Sequence, residues 1–266
     1  MGAVHRPNAT TRPTAAEHSD RARSFGSVAA DYAQYRPGYP SAALAVALPR
    51  TAGVVVDLGA GTGKLTADLI GPGRTVYAVE PDRAMLDQLL DDLPTVVGVQ
   101  AAAEQVPLPD GCADAVVVGQ AWHWFDGAKA RAEICRLLRS GGTVAVLWNV
   151  DNLDDPLTAA VEQVMNTHVR PPGGAAGRTR PDPPFEPDAA LSAPILTTVS
   201  WPWRITRARL HALQDTKSYM IAAGPEAVAA VHAGLDAALD EHGVGPSDDD
   251  PFDLVQRTEV WVARRT

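Results

Sequence analysis

Apolar residues along this chain alternate between two spacings. Short unbroken runs predict strands buried on both faces: Val54–Val55–Val56 within a strand over about 53–58, Val76–Tyr77–Ala78–Val79 within about 75–80, and further strands over about 95–101 and 113–118. Thr143–Val144–Ala145–Val146–Leu147–Trp148 predicts a fifth strand, entered through a helix stop at Ser140–Gly141–Gly142. Between these runs, apolar positions three and four apart predict helices over about 63–70, 82–91 and 127–138. Such alternation implies a parallel sheet with helices on both faces. Two short helices precede it: one around Phe25, Val28, Ala29 and Tyr32, ended by Pro37, and one over about 42–48.

After the fifth strand the pattern loosens. Leu157, Val161, Val164, Met165 and Val169 form the stripe of a helix over about 155–169, and a proline- and glycine-rich run over 170–187 reads as a long loop. Partial alternation predicts strands over about 195–205 and 253–264, with helices over about 206–222 and 225–242 between them. The polar first 20 residues have no periodicity and read as a disordered tail. The rest, 21–266, reads as one domain, with lid helices over 21–50 and an insertion over 151–194.

The chemistry gathers at strand ends. The first strand closes on Asp57, and Gly59, Gly61 and Gly63 alternate through the turn that follows. A turn without side chains lets backbone amides approach a ligand closely. Glu80 closes the second strand, placed for two ribose hydroxyls. Lys64 stands near where a dinucleotide fingerprint needs its third glycine, and Leu65 where a phosphate-binding loop needs Ser or Thr. The layout is therefore that of a nucleoside site, with neither NAD nor ATP as its natural ligand.

Charge and cysteine content narrow the picture. With 23 basic and 32 acidic residues the net charge is −9, a poor match for a nucleic acid backbone. The cluster Lys129, Arg131, Arg136 and Arg139 reads as one solvated helix face. Two cysteines, Cys112 and Cys135, make neither a zinc spacing nor a disulfide framework, so no metal is expected and a reducing cytoplasm is. No apolar run has the length of a membrane span, and no secretory signal opens the chain.

The turn Asp57–Leu58–Gly59–Ala60–Gly61–Thr62–Gly63 with Glu80 resembles motif I of class I S-adenosylmethionine (SAM) dependent methyltransferases. Phe25 to Tyr32 with Tyr35–Arg36–Pro37–Gly38–Tyr39–Pro40, Ala103 to Asp110, and Gln120–Ala121–Trp122–His123–Trp124–Phe125–Asp126 resemble one branch of them. That branch is the type-11 methyltransferases related to trans-aconitate methyltransferase. The match is strong over 25–149 and thin across 166–195. The resemblance implies a Rossmann-like α/β fold with a mostly parallel seven-stranded sheet, an N-terminal helical lid and a helical or loop insertion after the fifth strand. It implies SAM as cofactor and a small-molecule acceptor, with O-methylation foremost.

Carried over residue by residue, the resemblance sets Asp57 near the methionyl ammonium and Glu80 on the ribose, with Gly59, Gly61 and Gly63 beneath the methionyl and ribose parts. Asp82 and Met85 follow in the next turn, Met85 facing either the adenine or the helix core. Ala103 and Glu104 would hold the adenine edge, unless Glu104 caps a short helix; Gln120 joins them as a cofactor contact. Tyr32 and Arg36 would close over SAM, Arg36 on its carboxylate. His123 is a candidate base or positioning group, with a structural imidazole as the other reading. Tyr35, Tyr39, Trp124, Asn149 and Tyr219 are candidate acceptor contacts, and the remaining histidines read as scattered surface residues. Two other classes compete: a SAM-binding cyclase, decarboxylase or sensor that transfers no methyl group, and a nicotinamide enzyme, which Lys64 disfavours. The oligomeric state is left open.

Overall fold

The computed structural model describes residues 35–169, 183–247 and 249–266. The expected tail, most of the first lid helix and Tyr32 lie outside these residues, as does most of the 170–187 run. A short helix, α1 (Ser41–Ala47), leads into β1 (Val54–Leu58), α2 (Lys64–Leu69), β2 (Thr75–Val79), α3 (Arg83–Asp92), β3 (Val97–Val99) and β4 (Ala113–Gly119). Then come α4 (Gly127–Leu137), β5 (Leu138–Asp151), α5 (Pro156–His168), β6 (Ile195–Thr206), α6 (Arg207–Asp215), α7 (Ser218–Ile221), α8 (Pro225–Glu241) and β7 (Pro251–Arg264).

The seven strands form one sheet in the order β3-β2-β1-β4-β5-β7-β6. Strands β1 to β5 run parallel, and β7 pairs antiparallel with both β5 and β6. One sheet face packs on α4, where Ile134 and Leu137 are fully buried against Val116, Val118, Val144 and Val146. The other face packs on α1 and α2 through Ala43, Ala47, Leu65 and Leu69. A third cluster joins α5, α6 and α8 to the ends of β6 and β7 through Met165, Leu210, Leu235 and Leu254. The chain reverses direction across the sheet between β1 and β4. In open α/β sheets the crevice at such a reversal, outside the carboxyl ends of the strands, is where ligands bind.

Local chemistry sets the boundaries. Asp82 caps α3, accepting the amide hydrogens of Ala84 and Met85, and Asp126 and Asp155 begin α4 and α5 in the same way. Three expectations need correction. First, the Ser140–Gly142 stop lies inside β5. Leu138 already pairs with Ala113, and a register irregularity with Gly141 at φ +75° precedes the Thr143–Ala115 pair. Second, the helix expected over 206–222 is two, because the Thr216 hydroxyl turns back to Leu213 O at 2.7 Å and closes α6. Third, Phe185 in the proline-rich loop is buried against Trp122, ring centroids 5.7 Å apart, so part of that loop belongs to the core.

Two surface readings change as well. Arg131, Arg136 and Arg139 pair with Asp188, Asp110 and Glu133, and Asp114 respectively, and Arg139 lies on β5 rather than the helix. His211 and His232 pack together with ring centroids 4.7 Å apart and face Asp236 and Asp215. Among the described residues no helix is long and apolar enough to cross a membrane, and no group of three potential metal ligands forms.

Ile134 tests the packing account. Ile134→Ala is expected to lower the unfolding free energy by about 2–5 kcal/mol in urea titrations, with the slope on denaturant unchanged. A loss within error would mean that α4 does not carry this face of the core.

Candidate functional site

The turn after β1 is held by the end of β2. Gly59 and Ala60 donate their amide hydrogens to Val79 O, and Gly61 N–H donates to Glu80 Oε2 at 2.9 Å. The other oxygen of Glu80 accepts Asp82 N–H at 3.0 Å. One carboxylate thus fastens the glycine turn to the start of α3, and each of its oxygens keeps a second lone pair. The three glycines serve different ends. A Cβ on Gly59 would lie 2.7 Å from Ala121 Cβ, and one on Gly63 2.9 Å from Leu89 Cγ, so packing requires both. A Cβ on Gly61 meets nothing within 4 Å among the described residues, so the turn is open above it as far as they extend.

Two buried acids lie beside this turn. Glu80 is 7 % exposed, and burial pushes its carboxyl above the ordinary range despite the two amide hydrogens it accepts. Asp57 is 1 % exposed and is pushed up to about 7, by burial first and by the Glu80 charge as a smaller cause, while the Thr66 hydroxyl opposes the shift. Thr66 donates to Asp57 Oδ2 at 2.7 Å; the buried Oδ1 has no hydrogen-bond partner among the described residues. An orphaned carboxylate oxygen beside a second carboxylate favours a cationic, hydroxyl-bearing ligand. SAM, with its sulfonium, ammonium and ribose diol, fits that donor set.

Across the crevice, β4 ends in a left-handed residue. Gln120 at φ +57° is the only non-glycine of positive φ among the described residues, a conformation costing about 1–2 kcal/mol. Its amide hydrogen goes to Leu147 O at 2.9 Å and its side-chain Nε2 donates to Asn149 O at 2.9 Å. Asn149 spends its own amide on the protein: Nδ2 donates to Gly38 O at 3.0 Å, and Oδ1 accepts the Thr258 hydroxyl at 2.7 Å. Tyr39 lies over the end of β4, where a Cβ on Gly119 would come within 2.6 Å of its hydroxyl.

The remaining sites divide. Asp82 serves as a helix cap and Met85 is half-buried on the same first turn. Ala103 is buried, and Glu104 Oε1 accepts Asp126 N–H at 2.8 Å, which ties it to the residue that caps α4. In the loop after β4, Trp122 belongs to the core, whereas Trp124 is 41 % exposed and the exposed His123 ring lies 4.8 Å from it. Arg36 is half-buried. Tyr35 lines a recess of about 320 Å³ with Thr206, Ala208, Arg209 and Ala212. Tyr35 and Tyr219 pack against the α5–α6–α8 cluster rather than the sheet core beneath the glycine turn. Tyr219 lies beside the half-buried Lys217, whose ammonium is 3.6 Å from Glu162.

Sequence reading missed Thr66, Thr258, Lys217 and Glu162. A hydroxyl residue between Leu65 and Ala67, one turn after Gly63, was the available signal for Thr66. The others are distant in sequence from every motif and left none.

The buried acid makes stability depend on pH. Because folding raises the Asp57 pKa from its ordinary 3.8 to about 7, the folded chain holds this proton more tightly than the unfolded one across that window. Its contribution is therefore full below about pH 4 and is lost as pH rises through about 7. The expected result is that Asp57→Asn, relative to the parent, gains stability steadily from pH 4 to pH 7 in denaturant titrations. A difference independent of pH would contradict the shift.

Comparison with known proteins agrees with this geometry. Residues 56–146 match a family described as a methyltransferase domain. An uncharacterized methyltransferase of Mycobacterium tuberculosis is 48 % identical over 130 residues, 49 % of this chain and 54 % of that protein. The chain thus spans about half the length of that curated relative. An uncharacterized methyltransferase-like protein of Schizosaccharomyces pombe is 28 % identical over 80 % of this chain and 85 % of its own. Among solved structures, a candidate type II methyltransferase of Anaeromyxobacter dehalogenans superposes with a TM-score of 0.59 at 25 % identity, covering 86 % of this chain and 97 % of that one. The glycine turn and its two acids therefore lie in the segment that matches a methyltransferase domain, and the seven-stranded sheet around them has the fold of a solved methyltransferase.

Proposed function

We propose that the chain is a SAM-dependent methyltransferase acting on a small-molecule acceptor, with an oxygen as the methylated atom. The observation that carries this reading is the Glu80 clasp: a carboxylate tied to Gly61 N–H beneath open space, at the reversal point of the sheet. When bound, SAM supplies an electrophilic methyl group on a sulfur that is already a good leaving group. What remains for the protein is alignment and the exclusion of water. Glu80 is placed to accept the ribose hydroxyls with its free lone pairs, and the orphaned Asp57 oxygen to accept an ammonium hydrogen. Tyr39 lies over Gly119 at the end of β4, and we read His123, whose ring lies 4.8 Å from that of Trp124, as the group that would serve an acceptor that must lose a proton.

We read the acceptor as a metabolite rather than a polymer, as the resemblance to small-molecule methyltransferases implies. The −9 charge, with the α4 arginines each bound to an acid, argues in the same direction. We read the compartment as the cytoplasm from the cysteine content.

Two measurements check this. Glu80→Ala is expected to raise KM for SAM by about 10- to 100-fold, the loss of one or two hydrogen bonds to a charged group, while the KM for the acceptor stays put. Mass spectrometry over panels of hydroxyl, carboxyl and amine acceptors is expected to show a gained methyl group on an oxygen. Tight SAM binding without any methyl gain would favour the non-transferring reading. A methylated nitrogen or carbon would overturn the oxygen assignment. Where the acceptor is a hydroxyl, His123→Gln is expected to abolish the acidic limb of the pH–rate profile; an unchanged profile would leave His123 without a role as base.

A further inference from the structure

Three groups of Asn149 reach three separate elements. Its backbone carbonyl accepts from Gln120 at the strained end of β4, its Nδ2 donates to Gly38 O, and its Oδ1 accepts from Thr258 on β7. Thr258 in turn accepts from Trp201 Nε1 on β6 at 2.9 Å. Only a side chain with both a donor and an acceptor makes the two side-chain bonds at once. The segment they hold, Tyr35–Pro40, straddles the crevice. Tyr39 N–H reaches Asp68 of α2 at 3.3 Å on one bank, and the Tyr39 hydroxyl abuts Gly119 of β4 on the other. The same hydroxyl site borders Leu65, two residues beyond Gly63.

We propose that Asn149 is a positioning residue, rather than an acceptor contact: its side chain pins the Tyr35–Pro40 segment and its backbone carbonyl holds the Gln120 side chain, and by joining the two beside the β1–β4 crevice it sets how fast SAM leaves. The proposal rests on the SAM reading above. A non-glycine residue kept at φ +57° needs surroundings that hold it there, and the Gln120–Asn149 bond is the side-chain part of that hold. Gly119 has the same logic: a side chain there would push Tyr39 off the strand end.

The test uses the full chain and two unrelated perturbations of one contact. Asn149→Asp keeps the acceptor facing Thr258 and turns the donor facing Gly38 O into an oxygen. Gly119→Ala leaves Asn149 untouched and displaces Tyr39. SAM release is followed by stopped-flow tryptophan fluorescence, well below the unfolding midpoint of each variant. Asn149→Asp is expected to speed release by about tenfold or more, the effect of losing one hydrogen bond and opposing two acceptors. Gly119→Ala is expected to do so by about fivefold. Because both free the same segment, the double variant should release SAM within about twofold of the faster single one. Should Asn149→Asp fail to fold, Gln120→Met, which removes the donor to Asn149 O, takes its place with the same expectation. Parental release rates in the variants, with SAM still binding, would overturn the positioning role and leave the SAM reading standing. Multiplicative effects in the double variant would also overturn it. A parent that binds no SAM would remove the reading on which the proposal rests.

Discussion

The bond from Gly61 N–H to the Glu80 carboxylate is the contact on which the site depends. It joins the turn after β1 to the end of β2, while the second Glu80 oxygen fixes the entry to α3 through Asp82. Burial raises the cost of keeping this carboxylate ionised, and two backbone amide hydrogens offset part of that cost. Each oxygen of the same group keeps a lone pair beyond the one its amide partner uses, and under the proposed function these would accept the ribose hydroxyls. Asp57 adds a second buried acid with one oxygen that has no hydrogen-bond partner among the described residues. The charge environment of the turn is thus unfavourable until something cationic arrives. This physical trait separates it from an ordinary strand–helix turn.

The sheet makes this possible by geometry alone. The order of the parallel strands reverses between β1 and β4, and at such a reversal the connections leave in opposite directions and open a crevice at the carboxyl ends. Into that gap project the glycine turn from one side and the Gln120–Asp126 loop from the other. Residues Gly59 and Ala121 touch across it so closely that neither admits another atom. The helical cluster of α5 to α8 packs where β5 and β6 end and β7 begins, and carries its own charge pair, the half-buried Lys217 and the buried Glu162.

Much of this could be read from residues in order. The runs around Val54–Val56, Val76–Val79 and Val116–Val118 fixed strands within a residue or two, because a parallel strand buried on both faces is almost all apolar. Asp57, Gly61 and Glu80 were identifiable since their roles follow from position at a strand end. What stayed hidden was contact across long sequence distance. Asn149 looked like a free amide at the edge of the sheet, and nothing local reveals that Gly38, 111 residues away, takes its donor. Trp122 is part of the core, and Phe185, 63 residues further along in the insertion, packs against it. Thr216 ended α6 by a side-chain bond that helix periodicity does not register. The acceptor-side residues are the least legible for the same reason: they come from the part of the chain whose elements are assembled by tertiary packing rather than by local pattern.

The central claim is that this clasp holds a sulfonium nucleoside. Isothermal titration calorimetry of the purified full chain with SAM, S-adenosylhomocysteine and NAD tests it most directly. The account predicts saturable heat at one site per chain for SAM, competition by S-adenosylhomocysteine for that site, and none from NAD. Absence of heat with both sulfur nucleosides from a folded chain, or saturable heat with NAD instead, would contradict it.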